Sequence, residues 1–109
     1  MPYIPERGDI VWLEFDPQAG HEQKGKRPAL VMSGREYNRT TDLFLVCPIT
    51  SKVKGYPFEV PVNGKIAGVI LSDQVKSFDW KARKARFAEK VPKKVLAEVR
   101  ENIGLLLDE

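Results

Sequence analysis

Phe58-Glu59-Val60-Pro61-Val62-Asn63-Gly64-Lys65-Ile66-Ala67-Gly68-Val69-Ile70-Leu71 is the stretch that decides the fold. Two runs rich in β-branched residues, Phe58 to Val62 and Ile66 to Leu71, flank Asn63-Gly64, a dipeptide that accepts the positive φ angles of tight turns. The spacing predicts two antiparallel strands joined by a tight hairpin. Toward the N-terminus, Leu43 to Ile49 reads L-F-L-V-C-P-I, apolar on both faces, and predicts a strand in the middle of the core. Pro48 has no N–H to give to a ladder, so pairing is expected to stop there. Gly34 to Thr41 is polar and fits a single helical turn. Pro28 to Ser33 predicts a short strand with Pro28 at its start or at an edge. Asp16 to Lys26 holds Pro17, Gly20 and Gly25 and reads as a long loop. Asp9 to Phe15, D-I-V-W-L-E-F, predicts the first strand.

Toward the C-terminus, Ser72 to Trp80 mixes polar and aromatic residues and matches no single period. Ala82 to Val91 predicts a last strand with a basic face. Pro92 stands where a helix would start. Val95, Leu96, Val99, Ile103, Leu106 and Leu107 recur at helical spacing and predict an amphipathic helix. Gly104 inside it costs about 1 kcal/mol of helix propensity, which means either close packing or a tolerated weakness. Strands separated by turns rather than by helices argue for a mainly β fold, a small barrel or coiled sheet, and not for α/β. At 109 residues the chain is expected to be one domain, 1–109, with modest burial that an oligomer would supplement.

No apolar run approaches the roughly 18 residues of a membrane span. Met1 to Asp9 has no apolar signal-peptide core. The one cysteine, Cys47, cannot form an intrachain disulfide, and a reduced cytoplasmic setting is the expectation. One histidine and one cysteine do not supply a structural zinc set, and no cofactor is expected. The net charge is +3. Its distribution is uneven: Lys76 to Lys94 carries eight basic and two acidic residues, whereas Val95 to Glu109 carries one basic and four acidic. Lys24, Lys26 and Arg27 form a second basic group, and Lys52 with Lys54 a third. Gathered on one face, these would give a positive field suited to a phosphate backbone; otherwise they are a solvated surface.

Three short segments carry the side chains that chemistry would need. In Gly20-His21-Glu22-Gln23-Lys24-Gly25-Lys26-Arg27, a glycine-bracketed loop delivers Arg27 to the mouth of a strand. Its guanidinium is a fixed fork of donors that suits phosphate. Glu22 and His21 on the same loop could accept a proton. The alternatives are a surface clamp between Arg27 and Glu22 and a solvated histidine. In Cys47-Pro48-Ile49-Thr50-Ser51-Lys52, the hydroxyls of Thr50 and Ser51 could hold a phosphate oxygen, or simply form a turn. Cys47 reads as a small core residue rather than a nucleophile. In Leu71-Ser72-Asp73-Gln74-Val75-Lys76, Asp73 falls just past a strand end, where it is a general base or a cap. Phe78 and Trp80 could stack on bases, or anchor a core or an interface.

In order along the chain, Arg7 to Trp12, Phe15-Asp16-Pro17, Gly20 to Gln23, Arg27-Pro28-Ala29, Tyr37-Asn38, Cys47 to Thr50, Lys54 to Val60, Asp73 to Ser77 and Trp80 to Arg83 make a set that resembles the MazF/PemK/Kid family. This family comprises the toxin halves of bacterial toxin–antitoxin pairs, and the chromosomal MazF branch is the nearest. The resemblance spans nearly the whole chain. It implies an SH3-like β-barrel with a C-terminal helix, working as a homodimer. It also implies metal-independent cleavage of single-stranded RNA, chiefly messenger RNA, at short motifs, and inhibition by an antitoxin with a flexible acidic tail.

On that resemblance the catalytic arginine falls on Arg27, the active-site threonine on Thr50 and a participating glutamate on Glu22. The histidine and aspartate implicated in the Kid branch fall on His21 and Asp73. That branch carries an arginine two residues before the aspartate, where this chain has Leu71, so weight moves to Arg27 with Thr50. RNA contacts are expected from Lys24, Lys26, Ser51, Lys52, Lys54, Lys76, Phe78 and Trp80. A toxin of the same fold that poisons a DNA topoisomerase without cutting RNA, and a plain nucleic-acid-binding module, are the alternatives.

Overall fold

The computed structural model describes residues 2–15 and 26–108. The elements are β1 (Asp9–Glu14), β2 (Lys26–Val31), α1 (Arg35–Thr41), β3 (Leu43–Thr50), β4 (Glu59–Asn63), β5 (Ala67–Leu71), β6 (Lys76–Asp79), β7 (Arg86–Lys90) and α2 (Lys93–Leu107). Every strand pairing is antiparallel, and the order is β4-β5-β3-β2-β1-β7 with β6 also on β3.

β3 organises the sheet. One edge pairs with β2, Val31 opposite Val46 and Ala29 opposite Pro48. The other edge takes β6 along Leu43 to Val46 and then β5 at Ile49 and Thr50. Pairing does not stop at Pro48, as its missing N–H predicts. It changes partner there: the β2 ladder ends at Pro48 and the β5 ladder begins one residue on. Proline thus marks the corner where the sheet turns.

The middles of β1, β2 and β3 (Ile10 and Val11, Ala29 to Val31, Val46 and Cys47) are buried on both faces, which explains the near-continuous apolar sequence there. On one face Ile10, Leu30, Cys47 and Ile49 meet Val60, Val62 and Ile70 of the hairpin and Val99 of α2. On the other, Val11, Leu13, Ala29, Val31, Phe44 and Val46 close over Trp80. Fully burying a side chain of this size stabilises by about 1.5–3 kcal/mol, so the two clusters hold the sheet from both sides.

The hairpin forms as its sequence predicts, but with a wider tip. Asn63 pairs with Ala67, leaving three residues in the connection, because Ile66 turns into the core. The Ile66 N–H donates to Glu89 on β7 at 2.9 Å. β4–β5 and β7 lie at opposite ends of the strand order, so this bond joins the two ends and curls the sheet toward a barrel. Gly64 leaves room for this contact: a Cβ there would sit 2.5 Å from the Glu89 carboxylate and push that side chain aside.

α1 is longer than the single predicted turn. Its Asn38 is wholly buried and bonds Ser33 (Ser33 Oγ to Asn38 Oδ1, 2.6 Å), the carbonyl of Pro5 (2.8 Å) and the indole N–H of Trp80, which donates to the Asn38 carbonyl at 2.9 Å. In α2, Val99 is buried while Leu105 and Leu107 are exposed. No heavy atom lies within 4 Å of where a Gly104 Cβ would be, so that glycine is a tolerated weakness rather than a packing requirement.

Candidate active site

The strand ends and turns of one face bring together residues that are distant in sequence. Arg27 comes from the start of β2, Thr50 from the end of β3, Lys52 and Lys54 from the following loop, Asp73 from the turn after β5, and Lys76 from the start of β6. All six line one cleft of about 360 Å³. Phe15, Leu71 and Gln74 complete its wall, with Tyr56 and Glu59 beside the loop.

Each side chain has a local reason for its place. Arg27 lies opposite Leu13 of β1 and is exposed. Thr50 is held by its pairing with Val69 and by a close approach of β5 at Gly68. Gly68 has φ +149, and a Cβ there would run into the Thr50 carbonyl; glycine alone meets both demands. The Thr50 hydroxyl accepts the Lys52 N–H at 3.1 Å, which leaves its own hydrogen to donate. The Lys52 to Tyr56 loop is pinned by Glu59, whose carboxylate accepts the N–H of Gly55 at 2.9 Å and of Lys54 at 3.2 Å. Lys54 also faces the Tyr56 ring, 5.9 Å from its centroid.

The cleft can therefore present a guanidinium, a hydroxyl and three ammonium groups to an anion, with the Asp73 carboxylate on the same wall. This is the equipment for holding a phosphate and stabilising charge that develops on it.

Other expected residues stand elsewhere. His21, Glu22 and Lys24 lie outside the described residues. Lys26 is exposed at the start of β2 and does not line the cleft. Ser51 lines a neighbouring basin rather than this one. Phe78 is half-buried, edge-on to Phe15 and under the Arg83 guanidinium, 4.1 Å from its ring centre. Trp80 is a core residue and not a base-stacking surface: it is 7% exposed, with its N–H bonded inside.

The basic stretch Lys76 to Lys94 does not form one phosphate face. Lys81 pairs with Asp42, and Arg83 donates to the carbonyls of Glu14 and Phe15. Lys90 bonds Glu6 and the buried Asp9. Burial alone would lower the Lys90 pKa, but these two carboxylates outweigh it and raise it. Cys47 is buried, and burial, with the charge of Asp73 second, pushes its thiol up to about 12. It is no nucleophile.

Sequence reading missed Gln74, Tyr56, Glu59 and Gly68. A glycine inside a strand pattern signals close backbone approach, so Gly68 was detectable. Glu59 reads only as an outward strand residue, because its loop partners are backbone groups.

Fold and cleft together define a small, curled antiparallel β-protein that offers cationic and hydroxyl groups to an anionic chain. Comparison with known proteins narrows this class. Residues 6–107 match the family of PemK-like, MazF-like toxins of type II toxin–antitoxin systems. The chain is 44% identical over 106 residues, 96% of each chain, to the endoribonuclease toxin MazF of Escherichia coli strain K12. It superposes on MazF of Deinococcus radiodurans in a MazE–MazF crystal structure with a TM-score of 0.92 and 50% identity over 98% of each chain. MazF of the same organism crystallised as Form-I gives 0.89 at 50% identity, over 99% of this chain and 100% of that one. The protein belongs to the PemK/MazF toxin family, and ribonuclease activity is the function that membership carries.

Proposed function

We propose that the chain is a sequence-specific, metal-independent endoribonuclease toxin that cuts single-stranded messenger RNA. The observation that carries this reading is the convergence of Arg27, Thr50 and Asp73 on one cleft. The nucleophile is the substrate's own 2′-hydroxyl. Its oxygen forms a bond to phosphorus as the bond to the 5′-oxygen breaks. A general base takes the 2′-hydroxyl proton and a proton is delivered to the departing 5′-oxygen. The products are a 2′,3′-cyclic phosphate and a 5′-hydroxyl. Arg27 stabilises the charge on the phosphoryl oxygens, and Thr50 donates its hydroxyl hydrogen to one of them. The base is drawn from Glu22, His21 and Asp73, of which Asp73 is the one on the described wall.

The chain acts as a homodimer, and an antitoxin with an acidic, flexible tail competes with RNA for the same cations. The MazE–MazF assembly of the Deinococcus relative supports this partnership. Cytoplasmic action fits an RNA substrate; no helix among the described residues is long and apolar enough to cross a membrane.

The test is primer-extension mapping of a long RNA incubated with the purified protein in excess chelator. Arg27→Ala is expected to lower the rate about 100-fold or more, the worth of a charge-stabilising donor. Folded stability should stay within about 0.5 kcal/mol, since the side chain is exposed. Thr50→Val should cost about 10- to 100-fold and Thr50→Ser little, as expected for a hydrogen bond to a charged group. A substrate with a 2′-deoxy sugar at the scissile position should bind uncut. Cutting of that analogue, or activity that chelator removes and divalent metal restores, would refute the mechanism. Binding of RNA without any cleavage would favour a plain binding module.

A further inference from the structure

Arg27 and Thr50 do not sit at the bottom of a single cleft; they form part of a ridge. A second basin of about 460 Å³ lies against the first and shares Arg27, Ile49, Thr50 and Lys52 with it. The two basins differ in chemistry. Beyond the shared ridge, the first carries Asp73, Gln74 and Glu59, side chains that can read base edges by hydrogen bonds. The second carries Trp12, Pro28, Ile66 and Ala67, with Lys65 and Ser51 at its polar side. Its distinctive feature is a half-buried indole; among the described residues no carboxylate or amide side chain lines the basin with it.

We propose that the second basin is a nucleotide subsite: Trp12 provides the surface on which the base beside the scissile phosphate stacks, and Lys65 meets the next phosphate. This rests on the ribonuclease reading, since it is Arg27 and Thr50 on the ridge that fix the scissile phosphate. Three observations support it. An RNA strand whose scissile phosphate lies on the ridge must place one neighbouring nucleotide on each side of it. The Trp12 backbone is fixed from both sides, opposite Pro28 of β2 and Arg86 of β7, and its side chain is partly buried against the core. The hairpin tip that carries Lys65 is fixed by the bond from Ile66 to Glu89. An aromatic face binds every base without regard to its edge. The second basin therefore adds affinity and alignment, while discrimination between bases belongs to the first.

The two tryptophans make this measurable in the native chain, because they report from opposite environments. Trp80 is buried and shielded from a collisional quencher; Trp12 is partly exposed and the more accessible of the two. Acrylamide quenching of the fluorescence is expected to fall when a non-cleavable 2′-O-methyl oligonucleotide spanning a mapped cut site is added, and to fall much less when the flanking nucleotide is abasic. In cleavage, an abasic nucleotide on one particular side of the cut should slow the wild type by roughly 5- to 150-fold, the range of a single base–aromatic stack. The same substitution should slow Trp12→Leu little further, while Trp12→Phe keeps most of the wild-type sensitivity.

Unchanged quenching on binding, or equal abasic effects in wild type and Trp12→Leu, overturns the subsite. Should Trp12→Leu not fold, the quenching measurement on the wild type decides alone. The intact RNA control separates the two levels: if the wild type does not cut it, the ribonuclease reading fails. If it is cut but the Trp12 coupling is absent, only the subsite fails.

Discussion

The Cys47 thiol and the Thr50 hydroxyl stand three residues apart on β3, and their surroundings give them opposite fates. Cys47 points into the core, where burial raises its pKa from 9.0 to about 12. A group whose pKa rises on folding favours the folded state while it is protonated. Its contribution is complete below the unfolded value and is lost as pH climbs toward the folded one. Stability should therefore begin to fall near pH 9 and keep falling toward pH 12. Lys90, also raised by its carboxylate partners, acts in the same direction but starts from the ordinary lysine value near 10.4. Tyr3, whose phenol is raised by burial and then by its hydrogen bond to Asp9, joins in from about pH 10, so urea midpoints between pH 7 and 9.5 weight the thiol: Cys47→Ala should flatten the slope above pH 9, whatever it does to the absolute midpoint. An unchanged slope would place the thiol outside the alkaline transition. Arg27 and Thr50 were legible as candidates because an arginine and a hydroxyl at strand ends suit phosphate. The Asn38 hub was not, because its bonds to Pro5, Ser33 and Trp80 join segments far apart in sequence and leave no local pattern.

Among the elements, the hairpin and α2 were the easiest to read, since a turn dipeptide and a helical apolar period are both local signals. β6 was not read, because it is four residues long and earns its place only by pairing with Leu43 to Val46. The expectation that pairing stops at Pro48 fails: the β2 ladder ends there, but β5 takes over one residue on, and no local signal announces that second strand. Two glycines now separate by role. Gly68 lets β5 approach Thr50 at a φ that other residues resist, so Gly68→Ala should destabilise by about 1–3 kcal/mol and lower the cleavage rate of the folded fraction by displacing Thr50. Gly104 lies in open helix surface, so Gly104→Ala should stabilise by up to about 1 kcal/mol and leave cleavage unchanged. Chemical denaturation of the two variants beside the wild type checks both, and a stabilised Gly68→Ala would contradict the close approach.

Over the whole molecule, the positive charge that matters is a small part of the total. Lys81, Arg83 and Lys90 are occupied with acidic or backbone partners, and Arg27, Lys52, Lys54 and Lys76 share the cleft. Binding of a single strand should weaken with salt at about 0.7 in log–log slope per phosphate neutralised, approaching about −3 when the four cleft cations engage and about −3.5 when Lys65 meets a further phosphate. Lys52→Ala should reduce that slope by about 0.7, and Lys93→Ala should not change it; titrations of a fluorescent oligonucleotide at several salt concentrations would show the difference. The cleft draws its wall from Phe15 through Lys76 because β3 must receive β2 on one edge and both β5 and β6 on the other. While the chain is being translated, a nascent polypeptide that ends before Leu71 has Arg27 and Thr50 in its sequence but lacks the turn that closes the wall around them. The complete cleft is thus assembled only once the chain has been made through Lys76, the last residue of its lining.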